Sequence, residues 1–174
     1  MRDINLKGLV TPLNPNYILD METSKTTLIE APASLVFKIL FDVDLATTWV
    51  PNLTYYEVIS KTEHVVGSTY RSRFDFNGLK YEQVSEIKEY VKNQRVEWLA
   101  TSKFCDGKVD YFLTEISDSR TEFKQISQCQ YKGLTKFWIW LAKSKTKKAS
   151  EDYMREAHEN LKTLVEVEYT SGIA

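Results

Sequence analysis

The sequence contains two kinds of hydrophobic periodicity. Between residues 53 and 131 apolar and polar residues alternate with a period of two, and turn residues such as Asn77-Gly78 and Asp106-Gly107 interrupt the alternation. This pattern predicts hairpin-linked antiparallel strands. A β-branched stretch at 26–30 predicts one more strand ahead of them. The six later strands are placed at 53–60, 68–76, 79–90, 95–103, 108–117 and 120–131.

Helical spacing of apolar residues occurs before and after these strands. Apolar residues at this spacing follow Pro32 and predict a short helix to about Phe41, with Pro32 at the first helical position. Asp44 is expected to cap a second short helix at 45–49, because its carboxylate can accept the free amide protons of the first turn. Pro51 ends that helix.

The region after Gly133 is helical, and its apolar residues form two stripes. One consists of Leu134, Phe137, Trp138 and Leu141, and the other of Met154, Ala157, His158, Leu161, Leu164 and Val165. On a straight helix with 3.6 residues per turn the two stripes face opposite ways. We therefore expect either a bend or break in the basic stretch 143–148, or a first half that is apolar on both sides. Residues 137–141 would then be either buried on both sides or in contact with a ligand, a partner or a membrane surface.

Residues 1–22 contain Pro12 and Pro15 among asparagines, which predicts an extended N-terminal arm. A single domain is expected over residues 23–170. No apolar run at the N-terminus has the length of a signal peptide, which predicts a cytoplasmic location.

Composition excludes some classes of function. There are 23 Lys and Arg against 24 Asp and Glu, a net charge of −1, which argues against a nucleic-acid-binding protein. The six glycines are too scattered for a phosphate-binding loop, so no nucleotide or other cofactor is expected. Two distant histidines, with Cys105 and Cys129 outside any CxxC motif, predict no metal site.

Several short motifs resemble those of a known superfamily. They are residues 29–37 (IEAPASLVF), Trp49-Val50-Pro51, Gly67 before a strand, Gly133 before the last helix, and Leu161-Lys162 followed by Glu166. Together they resemble the polyketide cyclase/dehydrase and lipid-transport families of the START-like, or SRPBCC, superfamily, over residues 24–168.

The resemblance implies an α+β helix-grip fold. In that fold a seven-stranded curved antiparallel sheet wraps around a long C-terminal helix, with two short helices after the first strand. A cavity between sheet and helix encloses a hydrophobic or amphipathic small molecule. Some members of the superfamily transport or sense lipids and hormones, and others cyclise or dehydrate polyketides. The fold alone does not choose between these functions.

Period-two alternation selects the residues expected to face the cavity. Polar members of this inward set need hydrogen-bond partners from each other, water or a ligand, unless they form a cross-strand polar patch at a wet end of the sheet. The candidate ligand-binding residues are Tyr56, Tyr70, Phe74, Phe76, Tyr81, Gln83, Trp98, Phe112, Phe123, Gln125, Ser127, Trp138, Met154, His158 and Leu161.

His158 has two interpretations. It is the candidate catalytic acid or base, because an imidazole with a pKa near 6.5 suits proton transfer. Alternatively it is a packed histidine with both nitrogens satisfied. Because the inward face is aromatic and carries few ionisable groups, the function predicted first is binding of a lipid-, polyketide- or isoprenoid-like molecule. The alternative is a polyketide cyclase/dehydratase-like enzyme in which Gln125 and Ser127 orient the substrate.

Phe137, Trp138 and Trp140 lie beside the lysine-rich run 143–148. Lysines attract anionic lipid headgroups, and exposed aromatic rings suit a membrane interface. A weak membrane-surface contact is therefore a further hypothesis, against the simpler interpretation of a solvated helix bend. Nothing in the sequence predicts an oligomeric state.

Overall fold

The structure, a computed structural model, describes residues 20–172. These residues form seven strands and four helices. The strands are β1 (Met21–Ile29), β2 (Leu53–Ser60), β3 (Thr69–Phe76), β4 (Leu79–Val91), β5 (Arg95–Ser102), β6 (Cys105–Ser117) and β7 (Arg120–Tyr131). The helices are α1 (Ala33–Leu40), α2 (Ala46–Trp49), α3 (Gly133–Leu141) and α4 (Lys143–Thr170).

All strands belong to one antiparallel sheet in the order β1-β7-β6-β5-β4-β3-β2. The β3–β4 hairpin turns at Asn77 and Gly78, both with positive φ, as a tight two-residue hairpin requires. Irregularities in register interrupt β2, β4 and β6. Because bulges increase the local twist and bend a strand, they favour a curved sheet with a concave face.

The concave face is covered by α4. One stripe of this helix, Met154, Ala157, His158, Leu161 and Val165, is buried. Its C-terminal half is fixed to the end of β1, because Lys162 Nζ donates to the Leu28 carbonyl (2.8 Å) and Glu166 Oε1 accepts from the Glu30 amide (2.8 Å). The main core lies here, between α1, β6, β7 and the last turns of α4. The predicted α+β architecture is confirmed.

The long C-terminal helix is broken, as one of the two alternatives predicted. The break lies at Ala142 (φ −106°, ψ 21°), one residue before the basic stretch 143–148. The two apolar stripes can therefore face different surroundings. The α4 stripe is buried against the sheet, whereas α3 has no buried residue.

Three local predictions need correction. The predicted turn at Asp106-Gly107 lies inside β6, where these residues pair with Thr101 and Ala100. The hairpin turns earlier, because Ser102 Oγ accepts the amide protons of residues 104 and 105.

The second correction concerns the cap of α2. Asp44 does not cap α2, whose first turn has no side-chain cap; the Asp42 carboxylate instead accepts the amide protons of residues 44 and 45 just before the helix, at 2.9 and 3.1 Å. The third is smaller: Pro32 is the residue before α1 instead of its first residue. Of the predicted arm 1–22, residues 1–19 lie outside the described residues, and Met21 and Glu22 belong to β1.

Candidate functional site

The concave face of the sheet carries polar and aromatic side chains together. The register places Ser72 opposite Gln83, and Tyr111 opposite Gln125. Since side chains alternate between the two faces of a strand, residues paired in this way share a face. The inner face is therefore more polar than an ordinary protein core, as the sequence pattern indicates.

A chain of hydrogen bonds joins α4 to the sheet through His158. Nδ1 of the ring lies 2.9 Å from Thr27 Oγ1, and Nε2 lies 3.2 Å from Gln125 Oε1. The Gln125 amide nitrogen donates to Ser127 Oγ at 2.9 Å. Because an amide oxygen only accepts, Nε2 carries the proton and Nδ1 accepts from the Thr27 hydroxyl. The imidazole is neutral and has no free nitrogen.

The surroundings of His158 keep it neutral. The residue is 1% exposed, and its ring packs on Phe123 with the ring centres 4.7 Å apart. Burial, with a smaller contribution from the Lys25 charge, lowers the pKa of His158 to about 4. The interpretation as a packed, satisfied histidine therefore fits this geometry, and proton exchange with a bound molecule does not.

Other polar groups on the inner face are not satisfied. Ser72 and Ser85 are buried and Gln83 is half-buried. Within residues 20–172 their side chains form no hydrogen bond, and none of their polar atoms is fully enclosed by protein. A polar atom that is neither bonded nor enclosed faces open space. These side chains therefore border the space between the inner face and α4, which is the candidate cavity.

Four tyrosine hydroxyls show the same feature. Tyr56, Tyr81, Tyr111 and Tyr153 have no hydrogen-bond partner among the described residues, yet each ring retains accessible surface. Burial is the main cause that raises the pKa of all four phenols, because surrounding protein disfavours the phenolate. They are thus neutral groups, deep in the molecule, that can donate and accept hydrogen bonds.

Stacked aromatic rings form one wall of this cavity. Phe74, Phe76 and Tyr81 stack with centroid distances of 5.2 to 6.2 Å. Tyr153 of α4 packs on Phe76 at 6.0 Å, and Phe104 packs edge-on against Tyr81 at 5.8 Å. This wall connects the sheet to the helix and offers flat apolar surface to a ligand.

Cys105 and Cys129 lie beside this wall as free thiols. A hydrogen bond from the Cys129 thiol lowers the pKa of Cys105 to about 7, and the same contact together with burial raises the pKa of Cys129. No His side chain within residues 20–172 is among the groups that shift either pKa.

The structure brings most of the predicted site residues together. The inner face carries Tyr56, Tyr70, Phe74, Phe76, Tyr81, Gln83, Trp98, Gln125 and Ser127, and Met154 of α4 is buried over it. Phe123, His158 and Leu161 also point inward, but they are almost completely enclosed, so they support the site instead of lining it.

Two predicted residues lie elsewhere. Phe112 is on the convex face, because its neighbours Tyr111 and Leu113 turn into the core, and its ring meets the Arg95 guanidinium at 5.0 Å. Trp138 is 65% exposed on α3, which does not pack its apolar stripe on the sheet. Neither residue contributes to the cavity.

The sequence pattern missed Tyr111, Tyr153 and Phe104. Apolar residues occur on both faces of β6, so alternation alone could not orient Tyr111. The pairing of Tyr111 with Gln125 places Tyr111 on the inner face, but that pairing is known only once the register of β6 and β7 is known. Tyr153 precedes the α4 stripe by one residue, and Phe104 lies between the predicted strands 95–103 and 108–117, where alternation assigns no face.

Two observations limit the chemistry of the described residues. No three His, Cys, Asp or Glu side chains within residues 20–172 are placed to hold a metal ion. None of the four described helices is both long and apolar enough to cross a bilayer.

Solved structures share this fold at low sequence identity. A conserved protein from Geobacillus kaustophilus has a TM-score of 0.72 and 11% identity, over 86% of this chain and 97% of that chain. A START superfamily protein from Mycobacterium smegmatis has a TM-score of 0.69 and 14% identity, over 83% and 97% of the two chains. The Zhui aromatase/cyclase from Streptomyces sp. R1128 has a TM-score of 0.70 and 12% identity, over 85% and 94%.

These similarities show that the chain adopts the START-type helix-grip fold, which confirms the fold expected from the sequence motifs. At sequence level, no protein-family model and no curated protein matches the chain. The function must therefore be argued from the site itself.

Proposed function

We propose that this protein binds an uncharged, largely apolar small molecule that carries oxygen atoms, in the cavity between the sheet and α4. The aromatic wall supplies apolar contact, and the tyrosine hydroxyls with Gln83 supply hydrogen bonds. Two proteins that share the fold, one described as a START superfamily protein and the other as an aromatase/cyclase, are consistent with a small-molecule site.

One observation carries the proposal: the unpartnered hydroxyl and amide groups on the inner face. A polar group that a bound ligand covers without offering it a hydrogen bond costs about 1–3 kcal/mol. The inner face keeps several such groups open, among them Ser72, Gln83, Ser85 and Tyr111. A ligand with carbonyl or hydroxyl oxygens would satisfy them, whereas a pure hydrocarbon would leave them unpaired.

The alternative, a cyclase or dehydratase-like enzyme, has less support. Its proposed acid or base, His158, is enclosed and bonded at both nitrogens. Asp110, a conceivable carboxylate partner, lies on the convex face, bound to Arg95 (3.2 Å) and Lys108 (3.2 Å). Binding without proton transfer by these residues therefore fits the geometry best.

A cavity-filling variant tests the proposal. Nile red is uncharged, aromatic and carries a carbonyl group, so it is a suitable fluorescent probe. Ser72→Phe places a ring in the cavity and is expected to weaken Nile red binding at least about tenfold, because it removes space from a site of limited volume. Ser24→Phe, on the outward face of β1, is the matched control and should bind like the wild type.

Circular dichroism and thermal melting establish that both variants fold. The proposal is wrong if folded Ser72→Phe binds Nile red as tightly as Ser24→Phe does, or if the wild type does not bind the dye.

We further propose that α3 rests on an anionic lipid surface. Its large apolar side chains are exposed, with Trp138 at 65%, Trp140 at 69% and Leu134 at 81%. A surface of this kind is unusual on a soluble domain and marks an interaction site.

Charge supports an anionic surface as the partner. The segment 132–150 contains no Asp or Glu, although the whole chain has a net charge of −1. Its lysines are Lys132 and Lys136, which pair with Asp106 and Asp20, and Lys143, Lys145, Lys147 and Lys148 of α4. Exposed tryptophans beside lysines are typical of helices that lie in the lipid interface.

A further inference from the structure

A second pocket lies at the end of the sheet next to α1. It is bordered by α1, by the β2–β3 loop at 61–68 and by the β4–β5 turn at Lys92 and Asn93, and its volume is about 450 Å³. We call it the α1 pocket. Small-molecule sites have volumes of roughly 300–1,000 Å³, so it can hold a compact ligand.

The floor of the α1 pocket is apolar and fixed in place. Phe37 and Phe41 of α1 pack against each other at 4.9 Å, and both contact the Tyr90 ring at 5.5 Å. Tyr70 completes the floor and is held on its other side by Tyr56 and Trp98. These rings are held by one another, so a ligand would not have to order them.

The rim of the pocket is positively charged. Lys38, Lys61 and Lys92 come from α1, the β2–β3 loop and the β4–β5 turn, and none of the residues that line the pocket is acidic. Within residues 20–172 these three lysines form no ion pair, whereas Lys88, Lys108 and several others do. Three unpaired ammonium groups around one pocket create a local positive potential in a chain of net charge −1.

The loop that carries Lys61 is held in a strained conformation. Val65 has a φ of 67°, which is costly for a β-branched residue. Its side chain packs on the cluster of Tyr70, Ile87 and Val96 at the pocket. The loop is tied down by Thr62, whose amide donates to Ser68 Oγ (3.0 Å) and whose hydroxyl donates to the Val66 carbonyl (2.8 Å). Strain maintained in this way is characteristic of binding loops.

We propose that the α1 pocket is a second binding site, specific for an amphipathic anion: an apolar ring or branched chain against Phe41 and Tyr90, with a carboxylate, sulfonate or phosphate group facing Lys38, Lys61 and Lys92. Lysine ammonium groups bind such anions as point charges. The ligand class differs from that of the inner cavity, whose open groups are mainly neutral hydroxyls and amides, with Lys25 of β1 as a charged member of the same face. The inference does not rest on the function proposed for that cavity.

A matched pair of dyes separates charge from shape. 1-Anilinonaphthalene-8-sulfonate is an aromatic anion, and N-phenyl-1-naphthylamine has the same ring system without the sulfonate. The variant with Lys38→Gln, Lys61→Gln and Lys92→Gln is expected to bind the sulfonate about tenfold more weakly, because three partly screened charge contacts are lost. Its affinity for the uncharged dye should change less than about twofold by the same reasoning.

The control removes the same charge elsewhere. Lys143→Gln, Lys145→Gln and Lys148→Gln together change three lysines of α4 that also lack ion pairs within residues 20–172. Wild-type affinity for the sulfonate in this variant, with weakened binding in the α1-pocket variant, supports the site. Equal losses in the two variants would show a general charge effect and overturn it.

A second comparison separates this inference from the proposed function. Ser72→Phe fills the inner cavity and should leave sulfonate binding unchanged. If Ser72→Phe weakens the sulfonate and the α1-pocket variant does not, the anion binds in the inner cavity and the inference is wrong. The Nile red result with Ser72→Phe is a separate outcome and can succeed or fail on its own.

Discussion

His158 shows how a single buried residue connects structure to pH dependence. In the folded state its pKa is lowered to about 4 from an ordinary value of 6.5. The unfolded chain therefore binds the additional proton first as the pH falls. The neutral His158 contributes up to about 3 kcal/mol to the free energy of unfolding. This contribution is fully present above pH 6.5 and is lost as the pH falls from 6.5 to 4.

We predict that His158→Gln removes this pH dependence. Glutamine can still bond to Thr27 and Gln125 but does not titrate. The variant should be less stable than the wild type at pH 7, and the difference in unfolding free energy should shrink as the pH is lowered toward 4. Urea unfolding at a series of pH values measures this difference directly.

The exposed His64→Gln variant is the control, because it removes the other histidine of the chain without touching the core. If this variant reproduced the pH-dependent difference of His158→Gln, the effect would not come from the buried histidine. A His158→Gln difference that stays constant with pH would show that the histidine is not held neutral by the fold.

Residue types and alternation predicted part of the site. Gln125, Ser127 and His158 were expected on one inward surface, and the structure joins them in one chain of hydrogen bonds. Which groups are satisfied could not be predicted, because it depends on distances of a few tenths of an ångström between separate elements. The sequence therefore left His158 with two interpretations, and only the geometry shows both of its nitrogens occupied.

At the scale of elements, turn residues determine what can be predicted. Asn77-Gly78 fixed the β3–β4 hairpin, since both residues adopt positive φ. Asp106-Gly107 is also a residue pair typical of hairpin turns, but it lies in β6, because Ser102 stabilises a different turn through its hydroxyl. A turn motif thus predicts a hairpin only where no neighbouring side chain offers a better set of hydrogen bonds.

The break at Ala142 gives α3 an orientation of its own and leaves its apolar residues exposed. We predict that the wild type binds vesicles containing phosphatidylserine more tightly than vesicles of phosphatidylcholine alone. Trp138→Ser with Trp140→Ser should abolish most binding to both. Lys143→Gln, Lys145→Gln and Lys148→Gln should weaken binding to the anionic vesicles at least about tenfold, since each lysine contributes about 1 kcal/mol near such a surface.

Tryptophan emission during vesicle titration and co-sedimentation both measure this binding. The variant with Lys38, Lys61 and Lys92 changed to Gln is the matched control, because it removes the same charge at a distant surface. If it loses as much affinity as the α4 variant, the attraction is general and α3 is not the contact surface. If the wild type does not bind anionic vesicles at low salt, the proposal that α3 contacts a lipid surface is wrong.

At the scale of the whole molecule, one end is tightly packed, and the inner face beyond it keeps accessible side chains. The C-terminal half of α4 is fixed to β1 and α1, around Leu161 and Val165, which are completely buried. Towards Tyr153 and Tyr111, the inner face holds side chains that keep accessible surface and unpaired hydroxyls. The order of elements was predictable because local patterns define it, whereas the cavity depends on how far the bulged sheet curves away from α4.

The most direct test of the account is to locate a bound molecule on the inner face. Intermolecular nuclear Overhauser effects between Nile red and the labelled protein measure which protons lie within a few ångströms of the dye. We predict contacts with the ring protons of Tyr111 and Tyr153 and with the Gln83 amide. Contacts confined to α3 or to the α1 pocket, with none to these three residues, would contradict the central claim that the cavity between sheet and α4 is the ligand site.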